Sequence, residues 1–270
     1  MTVLRPRIIP CLLIRNNGLV KTVQFGNPKY VGDPLNAVRI FNEKEVDELM
    51  VVDIDASTQR RQPDYARIRA LAAECRMPLS YGGGVKTAEQ AASIVSLGVE
   101  KVAVSSAAVE QPDLIGKIAE VVGSQSVVVV LDVRRSKLGY EVWTHNGTRP
   151  SGRAAPDLAR ELEQAGAGEI VVNDIDNDGV MKGYDLALIR AIYGSVSVPV
   201  TALGGAGTLS HVSELIGAFG MIGAAAGSMF VFKGAYRAVL INYPSRSDKD
   251  ALVRAARGDS GKESERRAFG

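Results

Sequence analysis

One motif occurs twice in this chain, and it restricts the possible folds more than any other feature. Ser80 to Ala108 reads S-Y-G-G-G-V-K-T, a helical run, then K-V-A-V-S-S-A-A. About 122 residues later, Thr201 to Met229 reads T-A-L-G-G-A-G-T, another helical run, then G-A-A-A-G-S-M. On sequence alignment Gly82 and Gly83 fall on Gly204 and Gly205, and Ser106 falls on Ser228. Each copy is a strand, a glycine turn, a helix and a second strand ending on small residues, which is a βαβ unit. A period this long is no solenoid repeat. It predicts two halves of about four βα units each, and so a (β/α)₈ TIM barrel with a two-fold half-barrel repeat. An open doubly wound sheet is the alternative, but it does not predict two equivalent halves.

The rest of the chain fits that frame. Strands are predicted over Arg7–Ile14, Glu48–Ile54, Lys101–Val104, Ser126–Val133, Glu169–Asn173, Val198–Leu203 and Gly220–Ala226. Their continuous apolar runs suit a parallel sheet covered on both faces. Helices are predicted over Pro34–Val46, Pro63–Cys75, Pro112–Val121, Ala155–Ala165, Asp185–Ile192 and Leu209–Phe219. Asn16–Asp33, with three glycines and Lys21, reads as a long loop, and loops of that length are usually functional or disordered. Arg134–Thr148 reads as a β-hairpin inserted after the fifth strand. Ala235–Tyr243 reads as a last short helix. The barrel is thus expected over residues 1–244, followed by a charged tail, 245–270, with a surface helix over Asp248–Arg257 and disorder beyond.

Composition narrows the function. The net charge of +2 over 270 residues leaves no electrostatic footprint for nucleic acid. No apolar run is long enough to span a membrane, and no signal peptide is visible. Cys11 and Cys75 lie in different units and are expected to be reduced, which fits the cytoplasm. Two histidines, His145 and His211, read as solvated surface. With two scattered cysteines they form no metal cluster, so no metal or cofactor is expected.

In a (β/α)₈ barrel the active site lies at the C-terminal ends of the strands. Those ends carry Asp53, Gly82–Gly83, Ser105–Ser106, Asp132, Asn173–Asp178 with Gly179 following, Gly204–Gly205 and Gly227–Ser228. Glycine turns and helix N-termini suit phosphate; their other reading is tight βα turns and nothing more. Two such sets suggest a ligand with a phosphate at each end. Asp132 ends a wholly apolar strand and is either a general acid/base or an acceptor for backbone N–H groups. Asp53 offers the same choice, with Asp55 able to share its duty. At the opposite end Arg7, Glu48, Lys101 and Glu169 each precede an apolar strand. They either close a ring by mutual pairing or stand as four solvated charges.

Taken together, R-I-I-P-C-L, V-V-D-I-D-A-S, G-G-G-V-K, K-V-A-V-S-S-A-A-V, D-N-D-G-V-M-K-G-Y-D and G-G-A-G resemble the HisF-type cyclase subunit of imidazole glycerol phosphate synthase, over residues 5 to 230. The resemblance implies a (β/α)₈ barrel that binds a bisphosphorylated ribulosyl intermediate of histidine synthesis at its mouth. It also implies a HisH-type glutaminase partner, forming a heterodimer at the barrel floor, whose ammonia crosses the interior. By that resemblance Asp132 matches a catalytic aspartate. Gly82, Gly83, Ser105 and Ser106 match one phosphate site, and Asp178, Gly179, Gly204, Gly205, Gly227 and Ser228 match the other. Lys21 and Asp53 join the substrate site, while Arg7, Glu48, Lys101 and Glu169 match a charged ammonia gate.

The chain departs from the family pattern in several places: Ser105–Ser106 stand where the family typically has Asn-Thr, and the segment after Ser228 does not follow its usual C-terminal helix. Leu13 stands where the family places a second catalytic aspartate, and Leu203 replaces a serine. Losing a general acid/base typically costs about 10²–10⁴-fold in rate. The chain therefore also resembles divergent relatives associated with surface-polysaccharide (O-antigen) synthesis. There the barrel and a glutaminase serve a third enzyme that makes an acetamidino sugar. Three functions stay open: a cyclase working with Asp132 alone, an ammonia-transfer subunit, and a silent scaffold that activates its glutaminase.

Overall fold

Eight strands alternate with helices and close on themselves. The computed structural model describes residues 6–255 apart from 138 and 235. The strands are β1 (Ile8–Arg15), β2 (Leu49–Asp53), β3 (Leu79–Gly82), β4 (Lys101–Val104), β5 (Val127–Ser136), β6 (Glu169–Asp174), β7 (Val200–Leu203) and β8 (Gly223–Ala226). Each pairs in parallel with the next, and β8 pairs with β1 through Ile8–Ala224 to Pro10–Ala226. That last ladder closes the (β/α)₈ barrel. It leaves β1, with Pro10 inside it, no free parallel edge.

The helices cover the outside because their apolar positions recur on one face. In α1 (Pro34–Glu43) the buried residues are Pro34, Ala37, Val38 and Phe41, a spacing of three and four. Asp33 caps that helix through the Asn36 N–H, with proline in the first turn where its missing donor costs nothing. Two apolar clusters result. One lies between strands and helices. The other fills the lumen with Ile9, Cys11, Met50, Ala103, Val128, Val130, Val171 and Ala225.

The half-barrel repeat is present, with its register shifted at the glycine turns. β3 ends at Gly82 and the following helix is capped by Thr87; β7 ends at Leu203 and its helix is capped by Thr208. Strand end and cap together put Gly204 in the place of Gly83, and Leu203 in the place of Gly82. Both glycines have positive φ, 121° and 96°, and back onto a carbonyl, that of Asp53 in one half and Asp174 in the other. Three glycines in one copy against two in the other let a sequence alignment slip by one. The Ser106–Ser228 match stands, since both open a helix directly after the strand.

Three segments differ from expectation. Residues 18–32 are a β-hairpin, Gly18–Val23 against Gly26–Gly32, whose first strand folds back antiparallel onto β1. Its turn is Gln24–Phe25, both left-handed at φ 51° and 63°, so the usual Asn-Gly or Asp-Gly signal is missing. The insertion after β5 is a larger ribbon than a hairpin: β5 runs on to Ser136, pairs with Gly139–Thr144, and that strand pairs with Arg149–Ala154. No helix forms among the described residues of the last expected helix, 236–243. Phe232–Lys233 pairs antiparallel with Ala238–Val239 across a turn in which Gly234 and Arg237 have positive φ. The Leu240 and Asn242 amides then bond the Val231 and Phe230 carbonyls instead of a helical ladder.

The surface helix begins two residues earlier than expected and covers 246–255 up to the last described residue. Ser245 and Asp248 cap it reciprocally. The last two residues of the expected helix, 256–257, and the disorder expected beyond them, 258–270, lie outside the described residues. Among the described residues no helix is long and apolar enough to cross a membrane.

Candidate active site

The strand ends open on a cavity of about 1140 Å³, measured out to its solvent-filled rim. Asp132 lies in its wall, 8 % exposed. β5 aims this side chain inward because inward and outward positions alternate along a strand; Val128 and Val130 precede it in the lumen. Ser105, at the end of β4, donates to one carboxylate oxygen at 2.9 Å, and Asn173, on β6, donates to the other at 2.8 Å. Burial raises the carboxyl to about 6, only partly offset by those two hydrogen bonds, while the Asp178 charge adds to the rise. Such a group changes protonation close to neutrality, as acid/base work requires.

Lys21 reaches the same cavity from the hairpin. Its ammonium is buried and bonds the Cys11 carbonyl, and burial lowers its pKa against the opposing pull of its neighbours, Asp178 among them. A Cβ at Gly227 would lie 2.6 Å from the Lys21 nitrogen. Glycine there is what gives the ammonium its room. Asp178 accepts from the Thr22 hydroxyl at 2.6 Å and the Phe25 amide at 3.2 Å. Burial raises its pKa despite both bonds. The hairpin is thereby fastened across the mouth.

Gly82, Gly83, Ser105, Ser106, Gly227 and Ser228 all line the cavity. Gly83 permits backbone approach, since a Cβ there would meet the Asp53 carbonyl at 2.6 Å. Gly179, Gly204 and Gly205 do not line it. They back onto the Thr22, Asp174 and Gly183 carbonyls respectively. The two predicted phosphate sites are thus unequal, the β3–β4 one being the more open to the cavity. Asp53 lies in the wall, but its oxygens are occupied by the Asp55 and Ala56 amides and by Arg61 at 3.1–3.2 Å. Leu13, Val52 and Leu203 face the mouth as an apolar rim over the lumen.

At the other end the four charges close a ring. Arg7 bonds Glu48 at 2.5 Å and Glu169 at 2.7 Å; Lys101 bonds Glu48 at 3.0 Å and Glu169 at 2.9 Å. Ser80 donates to Glu48 and Thr201 to Glu169. Burial works against ionisation of Glu169, but the bonds and charges of Arg7 and Lys101 outweigh it and hold the carboxyl below its usual range.

Sequence reasoning missed Thr22, Phe25 and Asn146, all carried by ribbons whose folding back over the mouth is a tertiary event. Asn173 was visible only as a strand end. The histidines are not bare surface: His145 pairs with Glu110 at 2.7 Å while its amide donates to Ser106, and His211 Nδ1 accepts the Gly207 amide. Their polar neighbours come from other segments, which is why spacing alone could not show them.

The family model described as "Histidine biosynthesis protein" matches residues 7–237. A protein of Leptospira borgpetersenii named "Putative imidazole glycerol phosphate synthase subunit HisF" is 56% identical over 92% of this chain and 99% of its own length. A Pseudomonas aeruginosa protein named as subunit hisF2 of the same synthase, likewise "Putative", is 53% identical over 91% of this chain and 98% of its own. A Streptomyces coelicolor protein named "Imidazole glycerol phosphate synthase subunit HisF" is 42% identical over 84% of this chain and 90% of its own.

Proposed function

The chain belongs to the histidine biosynthesis protein family as a HisF-like barrel, and from that premise we propose that it is the synthase subunit of a glutamine amidotransferase. Ammonia from a docked HisH-type glutaminase enters at the Arg7–Glu48–Lys101–Glu169 ring, crosses the apolar lumen and meets a phosphorylated substrate at the mouth. The observation that carries this reading is the arrangement along one axis. A closed ring of alternating charge lies at the floor, an apolar lumen above it, and a carboxyl near pH 6 at the top. Neutral ammonia passes an apolar lumen more easily than an ion does, because burying an unpaired charge is costly.

At the mouth, Asp132 takes the proton that the attacking amine gives up, with Ser105 and Asn173 holding it in place. Backbone N–H groups around Gly83 and Ser106 hold phosphate. Ring closure of the family's ribulosyl substrate uses a second carboxylate, and Leu13 supplies none. This favours a second reading: the barrel passes ammonia on to a further enzyme, forming an acetamidino group on a sugar of the O-antigen type.

The test is purified barrel with glutaminase. Co-elution as a heterodimer and glutaminase stimulation by the barrel are expected. With ammonium and the bisphosphorylated ribulosyl substrate, turnover is expected to be about 10²-fold or more below a two-carboxylate cyclase. Full turnover refutes the role given to Leu13, and absence of any glutaminase complex refutes the amidotransferase reading.

A further inference from the structure

The C-terminal segment returns to the barrel floor and meets the ring there. Tyr243 donates its hydroxyl proton to the Ile8 carbonyl at 2.8 Å and accepts the Asp47 amide at 3.1 Å. Ile8 follows Arg7 in the chain, and Asp47 precedes Glu48. The Asp47 carboxylate accepts the Ile8 amide at 3.0 Å with one oxygen and pairs with Lys249 at 2.7 Å through the other. The Tyr243 ring packs on Phe230 at 5.5 Å between centroids.

This contact falls where the sheet lacks its own bonding. The β1–β2 ladder begins only at Cys11–Met50, and Pro10 has no N–H to offer. Below that register nothing in the ladder holds β1 beside β2, yet the Arg7–Glu48 pair must cross this seam. Lys101 and Glu169 are placed differently: Lys101 registers with Ser80, and Glu169 with Val128, inside their ladders.

We propose that Tyr243 is the positioning residue of the floor ring. Its hydroxyl, with the Asp47 carboxylate, fastens the open lower seam between β1 and β2 so that Arg7 and Glu48 meet. The segment that carries it thereby sets how readily the floor opens. The significance for ammonia entry rests on the proposed function; the significance for the ring does not.

Tyr243→Phe keeps the ring stacked on Phe230 and removes both hydroxyl bonds. The assay is solvent exchange of the Arg7 guanidinium protons by ¹⁵N NMR, with β5 amide exchange as the internal control. Exchange at Arg7 is expected to rise at least about three- to tenfold, the factor that each of the two lost hydrogen bonds carries, with β5 unchanged. Asp47→Asn, which weakens the Lys249 pairing, is expected to shift Arg7 in the same direction and serves if the first variant folds poorly. Unchanged Arg7 exchange in a folded variant, or an equal rise in β5, overturns the proposal. In the presence of glutaminase, Tyr243→Phe is expected to change glutamate release by a similar factor and to leave phosphate-ligand binding at the mouth intact. Failure of the wild-type barrel to bind any glutaminase would remove the proposed function, and the Arg7 measurement would still decide the role of Tyr243.

Discussion

Asp132→Asn should make the protein more stable at neutral pH, and by an amount the structure sets. The carboxyl moves from 3.8 in its ordinary state to about 6 in the fold. One pKa unit corresponds to about 1.4 kcal/mol, so keeping Asp132 ionised in this wall costs up to about 3 kcal/mol. Relaxation and water in the open mouth reduce that, and we expect a gain of about 1–3 kcal/mol.

The sign follows from linkage. The folded state binds this proton more tightly than the unfolded chain, so the penalty is absent below the unfolded value near 4. It grows as pH rises towards about 6 and is complete above it. Asparagine keeps the geometry, since its oxygen still accepts from Asn173 and its amide donates to Ser105, whose hydroxyl can turn to accept. The assay is thermal and denaturant unfolding of both proteins from pH 4 to 8. The variant should melt about 3–10 °C higher at pH 7.5 and no higher at pH 4, while losing turnover. A variant that is less stable at pH 7.5, or whose advantage does not depend on pH, refutes the argument that burial perturbs this carboxyl.

Three further changes test other parts of the molecule. Glu169→Gln should lower stability by about 3 kcal/mol, read by denaturant unfolding, because Arg7 and Lys101 lose a charge partner in a partly buried ring. Gly83→Ala combines a φ of 121° with a Cβ 2.6 Å from the Asp53 carbonyl; it should cost more than about 1 kcal/mol and weaken phosphate binding measured by calorimetry. Leu13→Asp places a carboxylate on the apolar rim facing Asp132 across the mouth; it should raise ammonium-dependent cyclase turnover at least about tenfold if the phosphate sites accept the ribulosyl substrate, and no gain would show that those sites have diverged too.

Much of the site was legible because it follows from local chemistry. A carboxylate at the end of a valine run, glycines before a helix and serines after a strand mark strand ends, and strand ends gather at one face in any parallel barrel, here around one cavity. The hairpin over the mouth was hidden by a Gln24–Phe25 turn with no glycine in it. The short helix expected before Pro244 was misread because the Leu240 and Asn242 amides bond the Val231 and Phe230 carbonyls rather than a helical ladder. Asp53 looked like Asp132 in sequence; only the Arg61 guanidinium and two amides around it distinguish them.

The alternation of strands and helices, the doubled half-barrel and the residue types at each strand end can be read from the order of residues alone, because these depend on periodicity and on backbone freedom near in the chain. It took closure of the barrel to bond four charges up to 162 residues apart in a ring, to raise the Asp132 carboxyl to about 6, and to bring the Tyr243 hydroxyl onto Ile8 and Asp47. Those properties arise from burial and from partners brought in by closure. Neither is encoded in the neighbourhood of the residue itself.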